Sequence, residues 1–289
     1  MKNEEIAEGV QLIPEGISIP TLSILSGNFG ESKLQEYAEK IKRYDEKARE
    51  TLNVFSFVDG KVKGSNVFAD VELASGIIAL SSELEHAVRI SPGYFRGTYE
   101  DIGLVLRTEG DSYQYNDYLA KNLAEQVKKR GVALPARISL KGLTLKEDGN
   151  SSYGLVFLLG EDSEVINVPE FSYVNNRKSF SRSDERGIPI FDGNGNRIFY
   201  SRENGLSRLY LNVNLNLNSN DEYLADSDAY GRVVVVSGEA AGADILQEYL
   251  LRISANLSEL RNRLNARHLG EREEVDNLAK KLGLELELK

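Results

Sequence analysis

Seven cations, Arg177, Lys178, Arg182, Arg186, Arg197, Arg202 and Arg208, fall between residues 171 and 210. Phe171, Tyr173, Phe180, Phe191, Phe199, Tyr200 and Tyr210 are interleaved with them. Only four acids share the segment, so it carries +3 in a chain of net −10, and the remainder carries −13. Arginine forks recognise phosphate and carboxylate, and aromatic faces stack on guanidinium groups or bases. The pattern predicts a surface for an anionic partner, either an acidic protein or a nucleic acid. Arg177, Lys178, Arg182 and Arg186 lie among few apolar residues, so they are expected on a loop, free to reach outward. Arg197, Arg202 and Arg208 stand on or beside strand patterns.

The other reactive residues are sparse. The chain has no cysteine, which removes disulfides, thiolate metal sites and cysteine nucleophiles, and only two histidines, His86 and His268. Ser82, Glu85 and His86 are neighbours in sequence, but a triad is assembled in space, and Glu85 fits a helix cap. Asp192, Asn194, Asn196 and Glu203 occupy positions 1, 3, 5 and 12 of a calcium-loop pattern. Position 6 needs glycine and holds Arg197, so a hairpin turn between two strands is expected there instead. The clusters Tyr99-Glu100-Asp101, Ser183-Asp184-Glu185-Arg186 and Asp221-Glu222 read as surface charge. No catalytic set, metal or cofactor is expected from this inventory, and an enzyme is the less favoured reading.

Val233 to Val236 runs into Ser237-Gly238-Glu239-Ala240-Ala241-Gly242-Ala243-Asp244. Those eight residues resemble a turn of the nucleotide-binding, Rossmann-like family related to lysine decarboxylases. The resemblance implies phosphate at a helix N-terminus. The alternating β/α chain such a fold needs does not surround it, and Glu239 would repel phosphate. Small residues where a helix leaves a strand are the plainer reading.

The elements that must position these residues follow from periodicity. Leu34, Tyr37, Ile41, Tyr44, Ala48 and Leu52 step by 3 or 4 and predict an amphipathic helix, opened by a Ser32/Gln35 capping box. Val54–Val58 ends at Asp59-Gly60, a hairpin signal, and Val67–Leu73 alternates as a strand would. Ser82/Glu85 predicts a short helix, Ile102–Leu106 a strand, and Ser112 onward a helix closed by Gly131. From Ala136 strands dominate: Arg137–Leu145, Tyr153–Leu159, Glu164–Val168, Ile188–Phe191, Arg197–Ser201, Ser207–Leu217 and Arg232–Val236. Leu211 to Asn218 alternates apolar with asparagine, which predicts a half-buried strand. Leu246, Leu250, Ile253, Leu257, Leu260 and Leu264 form an a/d heptad stripe and predict an oligomer interface.

Together these predict an α+β protein. A mixed helix/strand domain spans 1–133, an antiparallel β-meander 134–237, and a helical hairpin or short coiled coil 238–289. A run of apolar residues long enough to cross a bilayer is absent from the sequence, and the start of the chain lacks a secretory apolar core. A cytoplasmic, homo-oligomeric assembly protein without cofactor or metal is therefore expected. The alternatives are a metal-dependent carboxylate enzyme acting on a phosphate compound, or an RNA- or nucleotide-binding module.

Overall fold

A computed structural model describes residues 21–90, 92–173 and 177–237. The described chain opens with strand β1 (Thr21–Ile24) and helices α1 (Gly27–Ile41) and α2 (Glu46–Leu52). The apolar stripe crosses both helices, but the helix is interrupted between Ile41 and Glu46. Asp45 caps α2, its side chain accepting the Ala48 N–H at 2.8 Å. Ser32 and Gln35 therefore lie inside α1 rather than at its start. Strands β2 (Ser56–Val58) and β3 (Lys61–Lys63) form the expected hairpin, with Asp59 and Gly60 at φ 54° and 71°.

Helix α3 (Val67–Ala74) occupies the stretch whose alternation suggests a strand. Asn66 caps it by accepting the Ala69 N–H at 2.8 Å, and α3 is buried almost all round, so an apolar run satisfies either geometry. Then come α4 (Ser81–Ile90), α5 (Pro92–Phe95), β4 (Tyr99–Leu106) and α6 (Gln114–Lys129). Gly131, at φ 71°, follows α6 as its sequence position predicts. The remaining strands are β5 (Ala136–Ser139), β6 (Leu143–Glu147), β7 (Leu155–Leu159), β8 (Val165–Asn167), β9 (Arg177–Ser183) and β10 (Pro189–Phe191). They continue as β11 (Arg197–Ser201), β12 (Leu206–Leu211), β13 (Leu217–Ser219), β14 (Gly231–Arg232) and β15 (Val234–Ser237).

The expected fold class is overturned. The described part is strand-rich, with six helices around a nine-stranded, curled half-barrel sheet. Its order is β10-β9-β11-β13-β12-β4-β5-β8, with β14 pairing β4 off this path. Strand β4, from the supposedly mixed first half, runs between β12 and β5 inside the sheet of the supposed meander. The pairs β11–β13 and β14–β4 are parallel, so the sheet is not a meander. All eight residues of β4 are buried, as a strand covered on both faces must be. Leu104, Leu106, Ile138 and Leu206 pack on one face with α1, α2, α3 and α6. Val105, Leu209, Leu211 and Phe199 pack on the other with α4 and α5. The helical hairpin or coiled coil, with its stripe from Leu246 to Leu264, lies outside the described residues.

Two local expectations fail, each where a side chain hydrogen-bonds its own backbone. The Leu211–Asn218 alternation is not one strand. Asn212 Oδ1 accepts the N–H groups of Asn214 and Asn216 at 2.9 and 3.0 Å, folding the chain between β12 and β13. Asp192 likewise accepts the Asn194 N–H at 3.2 Å. The hairpin expected there does not form either: β9 lies between β10 and β11, and the 192–196 connection passes over its backbone at Phe180, where Gly195 leaves no room for a Cβ.

Candidate functional site

Three of the four cations assigned to an anionic partner are on a strand rather than a loop. Arg177, Lys178 and Arg182 are on β9, all exposed, and Arg186 is in the turn beyond it. Strand β10 pairs only with Phe180–Ser183, so Arg177–Ser179 is paired on one side only, with β11. Lys178 Nζ stands 4.1 Å from the Tyr173 ring centroid and 5.0 Å from that of Phe191. Arg177 and Arg182 make no ion pair among the described residues. Arg186 is occupied: Nε and Nη2 grip Asp184 Oδ2 at 3.0 and 2.8 Å, and its carbonyl accepts from Arg137 at 2.5 Å. Burial opposes the Asp184 charge, but the Ile188 N–H, then the Arg186 guanidinium and N–H, hold Asp184 below the usual carboxylate range.

The other three cations of the segment are also internal. Arg197 forks onto both oxygens of Glu85 at 2.7 Å. Glu85 is thus an ion-pair partner rather than a cap, and Glu83 takes the Leu80 N–H instead, at 2.7 Å. Arg202 lies 3.3 Å from Asp111 and 2.8 Å from Glu222, the latter out of line for a hydrogen bond. Arg208 is 3% exposed and donates to Asp101 from Nε at 2.8 Å and Nη2 at 2.5 Å.

The Asp101–Arg208 pair belongs to a buried chain that spacing does not reveal. Along β4 and β12, Leu209 pairs Gly103 but Tyr210 pairs Asp101, which leaves Ile102 as an extra, bulged residue. A bulge reverses which face the following side chains take. Asp101 therefore points to the face of Leu104 and α3, while Glu100 points to the opposite face with Ile102 and Leu211. Without the bulge the two acids would exchange faces.

On the α3 face, Ser65 Oγ lies 2.6 Å from Asp101 Oδ2 and 2.7 Å from Asp70 Oδ2. A hydroxyl has one proton and cannot donate to both carboxylates. Both oxygens of Asp101 already accept from Arg208. Asp70 is the group that keeps a proton: it donates to Ser65, which donates to Asp101. Burial, then the Asp101 charge, push Asp70 well above the ordinary carboxylate range. Asp70 Oδ1 has no hydrogen-bond partner. Gly64 and Ser227, which flank Ser65, also line an open cleft of about 360 Å³.

Because the folded state holds a proton on Asp70 that the unfolded chain releases near pH 3.9, stability falls as pH rises above that value. Asn at this position is neutral at every pH and can donate to Ser65. The Asp70→Asn variant is expected to melt near the parent at pH 5 and above it at pH 8. Parallel melting-temperature curves for the two proteins would show that Asp70 does not carry the proton.

On the opposite face, Arg107 is 4% exposed and faces no carboxylate partner. Its guanidinium reaches Phe171 O from Nε, Ser207 Oγ from Nη1, and Ser201 Oγ with the carbonyl and hydroxyl oxygens of Ser219 from Nη2, at 2.6–3.1 Å. Burial, with Arg202 adding to it, pulls Arg107 down to about 9, still cationic at neutral pH. All three nitrogens are bonded, so Arg107 ties the end of β4 to β12, β11 and β13. No spacing marks these serines, because each comes from a different strand.

Among the described residues, no group of three or more His, Cys, Asp or Glu is placed to share a metal ion. The Asp192–Glu203 pattern is split by β11, and the glycine-rich turn after Ser237 lies outside the described residues. Among the described residues, no helix is long and apolar enough to cross a membrane. No protein-family model, curated protein or solved structure matches the chain.

Proposed function

We propose that this chain is a non-enzymatic, homo-oligomeric interaction protein that meets an anionic surface through Arg177, Lys178 and Arg182 of β9. One observation carries the reading. Of the seven cations between 171 and 210, four are consumed by Asp184, Glu85, Asp111 with Glu222, and Asp101. The three that remain are exposed together on one strand of an otherwise acidic chain. Cations on a half-paired strand also discourage unspecific strand addition, which leaves side-chain charge as the means of recognition.

The test uses a sulfonate resin, a surface of fixed negative charge. A chain of net −10 at pH 7 has no overall reason to bind it. The full chain is expected to be retained at low salt and released as screening shortens to about 8 Å near 0.15 M. The triple variant Arg177→Ser, Lys178→Ser, Arg182→Ser is expected to flow through. Its melting should stay within about 0.5 kcal/mol of the parent, since exposed side chains alone are changed. Equal retention of parent and variant, or none by the parent, refutes the reading.

A further inference from the structure

A second surface has the chemistry to receive β9. Residues 108–120 and 215–231 contain seven carboxylates, five tyrosines and no lysine or arginine. The two segments meet through their rings: Tyr113 stacks on Tyr115 at 5.3 Å and meets Tyr223 edge-on at 5.2 Å. Tyr115 and Tyr223 are nonetheless 54% and 55% exposed, so this ring cluster is turned outward rather than into a core. Four of the carboxylates have cations at hand: Asp111 and Glu222 face Arg202, Asp117 faces Lys121, and Asp221 lies 3.7 Å from Arg208. Glu109, Asp226 and Asp228 are exposed and make no ion pair among the described residues.

We infer that the anionic partner of β9 is a second copy of this chain, docked through its Tyr113–Tyr115–Tyr223 face and the adjoining Asp226. The inference rests on the reading of β9 given above. Charge complementarity selects the occupant: three unpaired cations on one strand, and three unpaired carboxylates in the two segments that meet at the rings. The rings add a second match, because cations favour the electron-rich face of tyrosine. Within one chain the fold already uses that contact, with Arg43 5.0 Å from the Tyr44 centroid and Arg208 4.8 Å from that of Tyr210. Since the two faces differ, the contact is head-to-tail, and copies add in sequence until a ring closes.

Sedimentation of full-length variants tests this. The first variant is the β9 triple serine. The second, Tyr115→Ser with Tyr223→Ser, removes the rings, and a third, Asp226→Lys with Asp228→Lys, reverses charge without removing packing. The parent is expected to form assemblies of two or more chains at low salt that fall to single chains at high salt. Each variant alone is expected to remain single. The first mixed with the second or third keeps one intact pair of faces, so the mixture should stop at two chains. A parent that stays single at low salt overturns the inference, as does association of the second and third variants like the parent. A mixture that fails to pair while the third variant keeps its melting temperature overturns the head-to-tail contact. In all these cases resin retention by β9 still stands. Loss of that retention instead removes the underlying reading.

Discussion

Arg208→Met is expected to cost about 3–5 kcal/mol, because it leaves the buried Asp101 charge without its guanidinium. Nothing else near Asp101 can replace that charge: its other neighbour is Ser65, 2.6 Å away, a neutral donor. Burial works against the Arg208 cation, but Asp101 outweighs it, and the guanidinium holds its proton more firmly than a free one. Asp101→Asn keeps an acceptor for Ser65 and removes the charge from the other side. The double variant Asp101→Asn, Arg208→Met should lose less than the two single losses added, by roughly 1–3 kcal/mol. Urea unfolding of the four proteins measures this directly. Single losses that simply add would show that the pair is not the unit of stability described above.

Glu100→Gln is expected to remove the steepest part of the stability–pH profile. Glu100 is fully buried, accepts one hydrogen bond from Thr98 at 2.6 Å, and has no partner at Oε2. Burial pushes it up to about 8, against the opposing pull of Thr98 and Arg232. The sign follows from proton counting. Between its ordinary 4.5 and about 8 the folded protein keeps this proton and the unfolded chain has lost it. Stability therefore falls as pH rises through that window and levels off above it. The full gap corresponds to roughly 5 kcal/mol at most. Glutamine does not titrate, so the variant should show a shallower profile over the same range, and the slope that remains belongs to Asp70. A parent and variant with the same slope in melts from pH 5 to 8 would place the buried proton elsewhere.

These two acids show where sequence reading stops. Local periodicity is partly legible: the Asp59-Gly60 turn and Gly131 after α6 appear as their spacing implies, while the stripe from Leu34 to Leu52 is helical but divided between α1 and α2 by the Asp45 cap. Pairing is not. The β4 pattern says that Ile102–Leu106 is a strand, but not that it will be covered by β12 and β5 from residues far along the chain. Glu100 and Asp101 read as surface charge because nothing local says that both faces of β4 will be covered, or marks the Ile102 bulge that decides which face each acid takes. The same holds for the basic segment. Seven cations are visible in sequence, and Arg186 has Asp184 beside it, yet Arg197, Arg202 and Arg208 are consumed by partners roughly 20–110 residues away. The exposed tyrosine face is missed for a related reason, since Tyr113 and Tyr223 are remote in sequence and meet only through the fold. The usable signal there is compositional, two stretches that hold acids and tyrosines and no base.

Strands β1 and β15 carry a consequence for the chain as a mechanical object. Thr21 faces Ser237, and the pairing runs inward to Ile24 opposite Val234. The polypeptide therefore enters and leaves the described body at one spot, and between those points it forms a nearly closed loop. Tension applied across residues 21 and 237 would not stretch the sheet. It would peel four facing residue pairs one after another, like a zipper opened from its end. Conversely, a short peptide joining those two positions would make the body circular without disturbing any other contact.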